Sequence, residues 1–290
     1  ITRGCNSPCA KACAASRMHP ATASMSSDSC SSVAVNAAAV RALAAHNPTV
    51  SLHGGDLQYM TNPFDTWSGF FHAISPLTRL GALHTCVGNH ELEGLDEYEL
   101  QYRRSFEGHG FTGSTLDYSY MDFAGVRLLL MNSESDLFEA GSAQLQWLVR
   151  MLEEVRASST LRFAIVAFHR PFFTFSKAKP RFAARDLLHP ILRDYGVPLV
   201  LTGHNHCYEH FLVDGVHYLV VGGGGSSLYS IDSHIVEDLV PNRLKARSTH
   251  HFVVAERTDE HMQVTIYDVD RQEVLETFTL DPSPVQAPTR

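Results

Sequence analysis

The 290-residue sequence contains no run of about 18 consecutive apolar residues, so no stretch reads as a bilayer-spanning helix. It has no basic run longer than the Arg103-Arg104 pair, and 23 Lys+Arg stand against 31 Asp+Glu for a formal net charge of -8. That removes the phosphate-neutralising footprint of a nucleic-acid binder and the polybasic patch of a membrane-surface protein. No asparagine stands in an N-x-Ser/Thr sequon with a permitted middle residue; Asn6 and Asn47 are spoiled by Pro8 and Pro48. Glycosylated secretion therefore gains no support. Cysteine is scarce at six, and Cys5, Cys9 and Cys13, four apart, would stack on one helix face and match no usual zinc spacing. They read as non-catalytic, with disulfides left open. The chain opens with Ile1 rather than Met and shows no compact apolar leader with a cleavage site, so it reads as a processed form or a fragment.

What is present is a globular composition, 44% hydrophobic and 19% charged, which excludes disordered, collagen-like and coiled-coil chains. The length allows one or two domains. The pattern from Ser32 to Asn47 predicts an Ala-rich helix with Ser32 as N-cap and Pro48 ending it, followed by the strand TVSLHGG. Residues 64–80 carry apolar residues at helical spacing with Pro76 as an interruption, and LHTCVG is a short strand. Strands are expected at 118–123, 126–132, 161–168 and 197–203, with helices at 143–157 and 182–195. From Phe211 the character turns to β, with FLVDGVHYLVV a hairpin through Asp214-Gly215 and three alternating strands after it. Residues 1–27 hold no Asp or Glu and show no convincing periodicity, which leaves residues 28–290 as the folded domain.

Five positions collect His, Asp and Asn: Asp28, Asp56 with Tyr59 in GGDLQY, Asn89-His90 in GNHE, His169 in AFHRP, and His204 with His206 in GHNHCYEH. All but Asp28 directly follow an apolar strand, and in α/β sheets side chains at the carboxyl ends of strands converge on one crevice. Oxygen donors mixed with imidazole suit Fe, Zn, Mn or Co rather than thiolate-bound zinc or calcium. Three His, two Asp, one Asn and one Tyr exceed one ion's needs; two ions bridged by a carboxylate would use them all. Each residue also has a plainer reading. Asp56 after Gly54-Gly55 could be a turn residue, His169 a core histidine, and Cys30, Cys86 and Cys207 small buried fillers. Gly222 to Gly225 imitates a phosphate loop, yet no Lys-Ser/Thr follows, so a tight turn near the site is expected.

In this order, GGDLQY, GNHE, FHRP and GHNHCYEH resemble the motif set of the calcineurin-like metallophosphoesterases, and the tyrosine three residues after the aspartate resembles their purple acid phosphatase branch. The intervals, 28 residues from Asp28 to Asp56, 33 to Asn89, 80 to His169 and 35 to His204, are similar to that family's. The resemblance implies a four-layer α/β/β/α sandwich of two mixed sheets flanked by helices. It implies Fe(III) held by Asp28, Asp56, Tyr59 and His206, and a divalent Fe, Zn or Mn held by Asp56, Asn89, His169 and His204, with Asp56 as bridge. A phenol of pKa near 10 needs a strong Lewis acid to stay ionised in acid, which agrees with giving Tyr59 to a trivalent ion.

His90 would act as general acid or electrostatic clamp. The implied reaction is hydrolysis of a phosphorylated small molecule by a metal-bound hydroxide, in a secreted, vacuolar or lysosomal setting. The alternatives are a phosphodiesterase or nucleotide-pyrophosphate hydrolase of the same superfamily, or a catalytically impaired binding protein. Three features depart from the family pattern. Asp28 sits in the polar stretch TASMSSDSC, His210 stands where relatives have Arg, and RPFFTFSKAK lacks phosphate-contacting histidines, with Lys177 or Lys179 left for that contact or none.

Overall fold

A computed structural model describes residues 27–57, 63–92, 96–106, 118–135, 139–177, 182–258 and 260–283. The strands β4 (Val126–Leu130) and β5 (Phe163–Phe168) are buried at every position, arginine included. Continuous burial of this kind marks strands covered on both faces. They form the middle of a seven-stranded mixed sheet in the order β3-β4-β5-β6-β8-β7-β9, where β3 is Ser119–Phe123, β6 Leu199–Thr202, β7 Tyr208–Val213, β8 Val216–Val221 and β9 Arg243–Arg247. β4, β5, β6 and β8 run parallel, and the two flanks are antiparallel. The β7–β8 hairpin turns on Asp214 and Gly215, both at positive φ, as a two-residue hairpin loop requires.

Helices α5 (Ala143–Ala157) and α6 (Phe182–Asp194) cover one face, burying Trp147, Leu148, Leu152, Leu188 and Leu192 against Leu129, Val166 and Val200. Ser142 caps α5 by accepting from the Leu145 N–H. The other face packs Leu128, Leu130, Ile165 and Leu219 against a second β layer built of two blocks. One block is the parallel pair β1 (Val50–His53) and β2 (Ala82–Thr85); the other is the antiparallel sheet β10-β11-β12 (His251–Arg257, Met262–Asp268, Glu273–Leu280). Outside it lie α1 (Ser27–Ala44), α2 (Pro63–Thr78) and α4 (Asp96–Phe106), with Val40, Ile74 and Leu77 in one small cluster and Trp67, Tyr102 and Phe106 in another. The result is the expected α/β/β/α order.

Two expectations are corrected. The first helix begins at Ser27, five residues before Ser32, so Asp28 lies in its first turn rather than at a strand end. Small polar and acidic residues are favourable in a first helical turn, which lets the helix extend back through SDSCSS. Pro76 does not break α2, because it falls in the last turn, where it removes one hydrogen bond and leaves the preceding turns intact. Helix α4 and the edge strand β9 were not expected from the sequence, although Tyr98, Tyr102 and Phe106 recur every four residues along α4 and are buried.

Candidate metal centre

The strand β1 ends in Gly54-Gly55-Asp56, and β2 ends before Cys86-Val87-Gly88, which opens the short helix α3 (Asn89–Leu92). β5 ends at Phe168, one residue before His169, and β6 ends at Thr202, two residues before His204. Four neighbouring strand ends therefore present their side chains to one place, as expected for parallel α/β layers. His169 is the hub. Its Nδ1–H donates to the Gly54 carbonyl at 2.7 Å, which turns Nε2 inward. There Nε2 lies 3.1 Å from Asp56 Oδ2, 3.2 Å from Asn89 Oδ1 and 3.1 Å from His204 Nδ1. At Nε2 His169 faces two oxygens that are themselves acceptors, so a cation is needed there: a second proton, which against the effect of burial the Asp56 hydrogen bond and charge favour by raising the ring's pKa, or a metal ion in the proton's place. Separations of this size are those of donors about 2.0–2.2 Å from a common ion. The residues therefore fit a metal.

The geometry is held by strain and close backbone approach. Asp56 and His204 both adopt left-handed φ values, 57° and 63°, which non-glycine residues take at a cost and which concentrate at functional sites. A Cβ on Gly88 would stand 2.3 Å from Asp56 Oδ1, so only glycine lets the β2 exit pass beneath that carboxylate. Glu91, wholly buried, accepts from three backbone N–H groups: Asp56 at 2.9 Å, Leu57 at 2.7 Å and Gly88 at 2.8 Å. It ties the β1 exit to the start of α3. Burial, and then the Asp56 charge, push its carboxyl up to about 7 against those N–H groups.

Asp56 is nearly buried, which by itself would raise its carboxyl. The His169 hydrogen bond and charge and the 3.0 Å bond from the His90 N–H outweigh that, and the group sits well below the usual range. For His204, burial and the positive neighbours His169 and Arg170 lower the ring to about 3, which keeps it neutral and able to ligate. Arg170 Nη1 stands 3.1 Å from His204 Nε2, and Glu134 receives the Arg170 Nε–H on both oxygens. His206 donates from Nδ1 to the Ser227 carbonyl at 2.8 Å, which leaves Nε2 as the nitrogen that could ligate, and burial lowers its pKa.

The structure thus brings together Asp56, Asn89, His169 and His204, with the half-buried His90 beside Asp56. Tyr59 and the side chain of Asp28 lie outside the described residues, as do Cys5, Cys9, Cys13 and Lys179. Glu91, Glu134 and Arg170 were not singled out by sequence reading, although an acidic residue two after Asn89 was the signal for Glu91. Cys86 and Cys207 are buried free thiols. His210 is wholly buried, pairing with Glu276 and His217 rather than facing the centre. The Gly222–Gly225 run is a tight loop: a Cβ on Gly222 would strike the Asn205 carbonyl, and one on Gly225 would strike Asn36 of α1.

Comparison with known proteins agrees with this class of site. The family model for calcineurin-like phosphoesterases matches residues 27–208, and the chain belongs to that metal-dependent family. Within it, several of the relatives are named purple acid phosphatases. Probable purple acid phosphatase 20 of Arabidopsis thaliana is 29% identical over 192 residues, 59% of this chain and 44% of the relative. Purple acid phosphatase 18 of the same plant is 31% identical over 169 residues, 55% of this chain and 38% of the relative. The fold is similar to that of a purple acid phosphatase from yellow lupin (Lupinus luteus) seeds, with TM-score 0.69 and 18% identity over 86% of this chain and 49% of that one. The chain spans less than half the length of these relatives. No helix among the described residues is long and apolar enough to cross a membrane.

Proposed function

We propose that residues 28–290 form a catalytic domain that hydrolyses phosphate monoesters at a two-metal centre, as an acid phosphatase in a secreted, vacuolar or lysosomal setting. Asp56, Asn89, His169 and His204 would hold the divalent ion, and Asp28, Asp56, Tyr59 and His206 the ferric one. The observation that supports this reading is the meeting of Asp56, Asn89 and His204 around His169 Nε2 at 3.1–3.2 Å. Two ions, when bound, supply Lewis acidity to the phosphoryl oxygens and activate the attacking water. The chain's own part is positioning. Glu91 and Gly88 fix Asp56, the Gly54 carbonyl fixes the His169 tautomer, and the Arg170–Glu134 pair stands behind His204. His90, anchored through its N–H to Asp56, would deliver a proton to the leaving oxygen.

The test joins metal analysis to a panel of monoesters and diesters. Two ions per chain and faster monoester cleavage are expected, with both ions and activity lost in Asp56→Asn. One ion or none in active wild-type protein, or an unaltered Asp56→Asn, overturns the assignment. A diester preference moves the reading to the phosphodiesterase alternative.

A further inference from the structure

The segment that leaves β8, residues 222–229, supplies no ligand to the proposed centre, yet His206 leans on it. The Ser227 carbonyl accepts from His206 Nδ1 at 2.8 Å, and the Tyr229 N–H donates to the His206 carbonyl at 2.9 Å. The Tyr229 ring stacks on the imidazole at 4.0 Å and 24°. One edge and one face of His206 are thereby fixed. The segment opens with four successive glycines, Gly222 to Gly225, which have the most backbone freedom to lose, so it does not hold this pose alone.

Its tethers come from distant parts of the chain. On one side Asn36 of α1 donates from Nδ2 to the Gly224 carbonyl at 3.2 Å. On the other, the start of β10 clasps the loop: the His251 N–H donates to the Gly223 carbonyl at 3.0 Å, and His250 Nε2 reaches the Ser226 carbonyl at 3.2 Å. The His250 tether stands one peptide away from the carbonyl that His206 uses. Asp270, in the turn between β11 and β12, holds His250 in place. Its carboxylate oxygens lie 2.9 and 3.0 Å from His250 Nδ1, and it accepts from the His250 N–H at 2.9 Å and from Thr249 Oγ1–H at 3.2 Å. Nδ1 faces a carboxylate and Nε2 a carbonyl, so the ring makes both bonds only with a proton on each nitrogen, and Asp270 then supplies the counter-charge. We propose that the His250–Asp270 pair is a positioning dyad for His206: it fixes Ser226, and through the next peptide the Ser227 carbonyl that keeps the His206 proton on Nδ1 and leaves Nε2 for an ion. This rests on the two-metal reading above, in which His206 is a ligand, and adds two residues of the C-terminal sheet that set how firmly the ion on that side is held.

The experiment uses the zinc-loaded full chain, isotope-labelled at histidine, as wild type, His250→Leu, Asp270→Asn, His206→Ala and the double variant His206→Ala with His250→Leu. Two quantities are read: solvent exchange of the His206 Nδ1–H by NMR, assigned by its loss in His206→Ala, and zinc release to a competing chelator. Partners that orient a ligand are typically worth 10- to 100-fold in metal affinity. The dyad acts one step further out, so His250→Leu should speed Nδ1–H exchange and weaken one zinc by about 10-fold, at the low end of that range, while the other zinc is held as in wild type. Asp270→Asn should shift both readouts the same way, and because Asp270 is exposed it serves where His250→Leu does not fold. In the His206→Ala background, His250→Leu should change zinc release no further, because the route through His206 is gone. A further loss there shows general loosening and overturns the dyad. So does an Nδ1–H that exchanges at the wild-type rate in His250→Leu and Asp270→Asn. If wild-type protein takes up no zinc, the two-metal reading fails, and exchange of the His206 Nδ1–H in the same samples decides the dyad by itself.

Discussion

At the scale of single residues, His90 and Asp56 do different work although they touch. Asp56 gives Oδ2 to the point where the donors meet and spends Oδ1 on the His90 N–H, so the backbone of residue 90, not its ring, holds the carboxylate. Removing the His90 side chain should therefore leave metal binding intact. His90→Ala is expected to keep both ions and slow hydrolysis by about 10²–10⁴, the usual worth of a positioned acid or base. Metal analysis beside steady-state rates checks it, and loss of an ion in the variant would make the ring a ligand instead. Most of these residues were legible because imidazole, amide and carboxylate after apolar strands have few other uses in combination. What sequence could not show is the tautomer. Only the approach of Gly54 to His169 Nδ1 says which nitrogen faces inward.

At the scale of elements, the site hangs on the joint between the β1 exit and helix α3. Glu91 closes that joint with Oε2 shared by the Asp56 and Gly88 N–H groups and Oε1 taken by Leu57. Glu91→Gln keeps the shape but sets an amide N–H₂ against at least one backbone N–H. A buried donor without an acceptor costs about 1–3 kcal/mol. The expected outcome is a lower unfolding midpoint together with weaker metal retention in chelator competition. Weaker retention at unchanged stability would confine Glu91's part to Asp56; neither effect would remove it from the joint. The strands around this joint follow from their apolar runs, and α5 matches its 3.6-residue apolar period from Ala143 to Ala157. Helix α1 was harder. Its Ala-rich body gives no start signal stronger than a run of serines, and several serines could each be read as the cap.

For the whole molecule, the two β layers meet across histidines as well as aliphatics, and this gives stability a pH dependence separate from that of the site. His251, at the start of β10, is 2% exposed. Its Nδ1–H donates to the Thr249 carbonyl at 3.0 Å, while Nε2 has no hydrogen-bond partner among the described residues. Tyr208 lies edge-on at 5.3 Å, and the backbone of Gly223 closes the other side. Burial lowers the ring to about 4, with His250 adding to this and Asp268 and Asp270 opposing it. In the unfolded chain the same ring titrates near 6.5. Between those values the unfolded state binds the proton and the folded state does not, so stability rises with pH across the window and is lost on acidification from about 6.5 toward 4. For a group this buried the change is on the order of 2–3 kcal/mol. Glu91, raised to about 7, titrates in the same range with the opposite sign, so the wild-type curve alone does not isolate His251. A difference measurement does. His251→Phe keeps a ring of similar shape and cannot take up a proton. Its stability relative to wild type should improve steadily as pH falls from 7 to 4.5, in denaturant titrations at fixed metal content. A constant gap across that range would show that His251 keeps the same proton affinity folded and unfolded, and that the buried interface between the layers does not resist acid protonation.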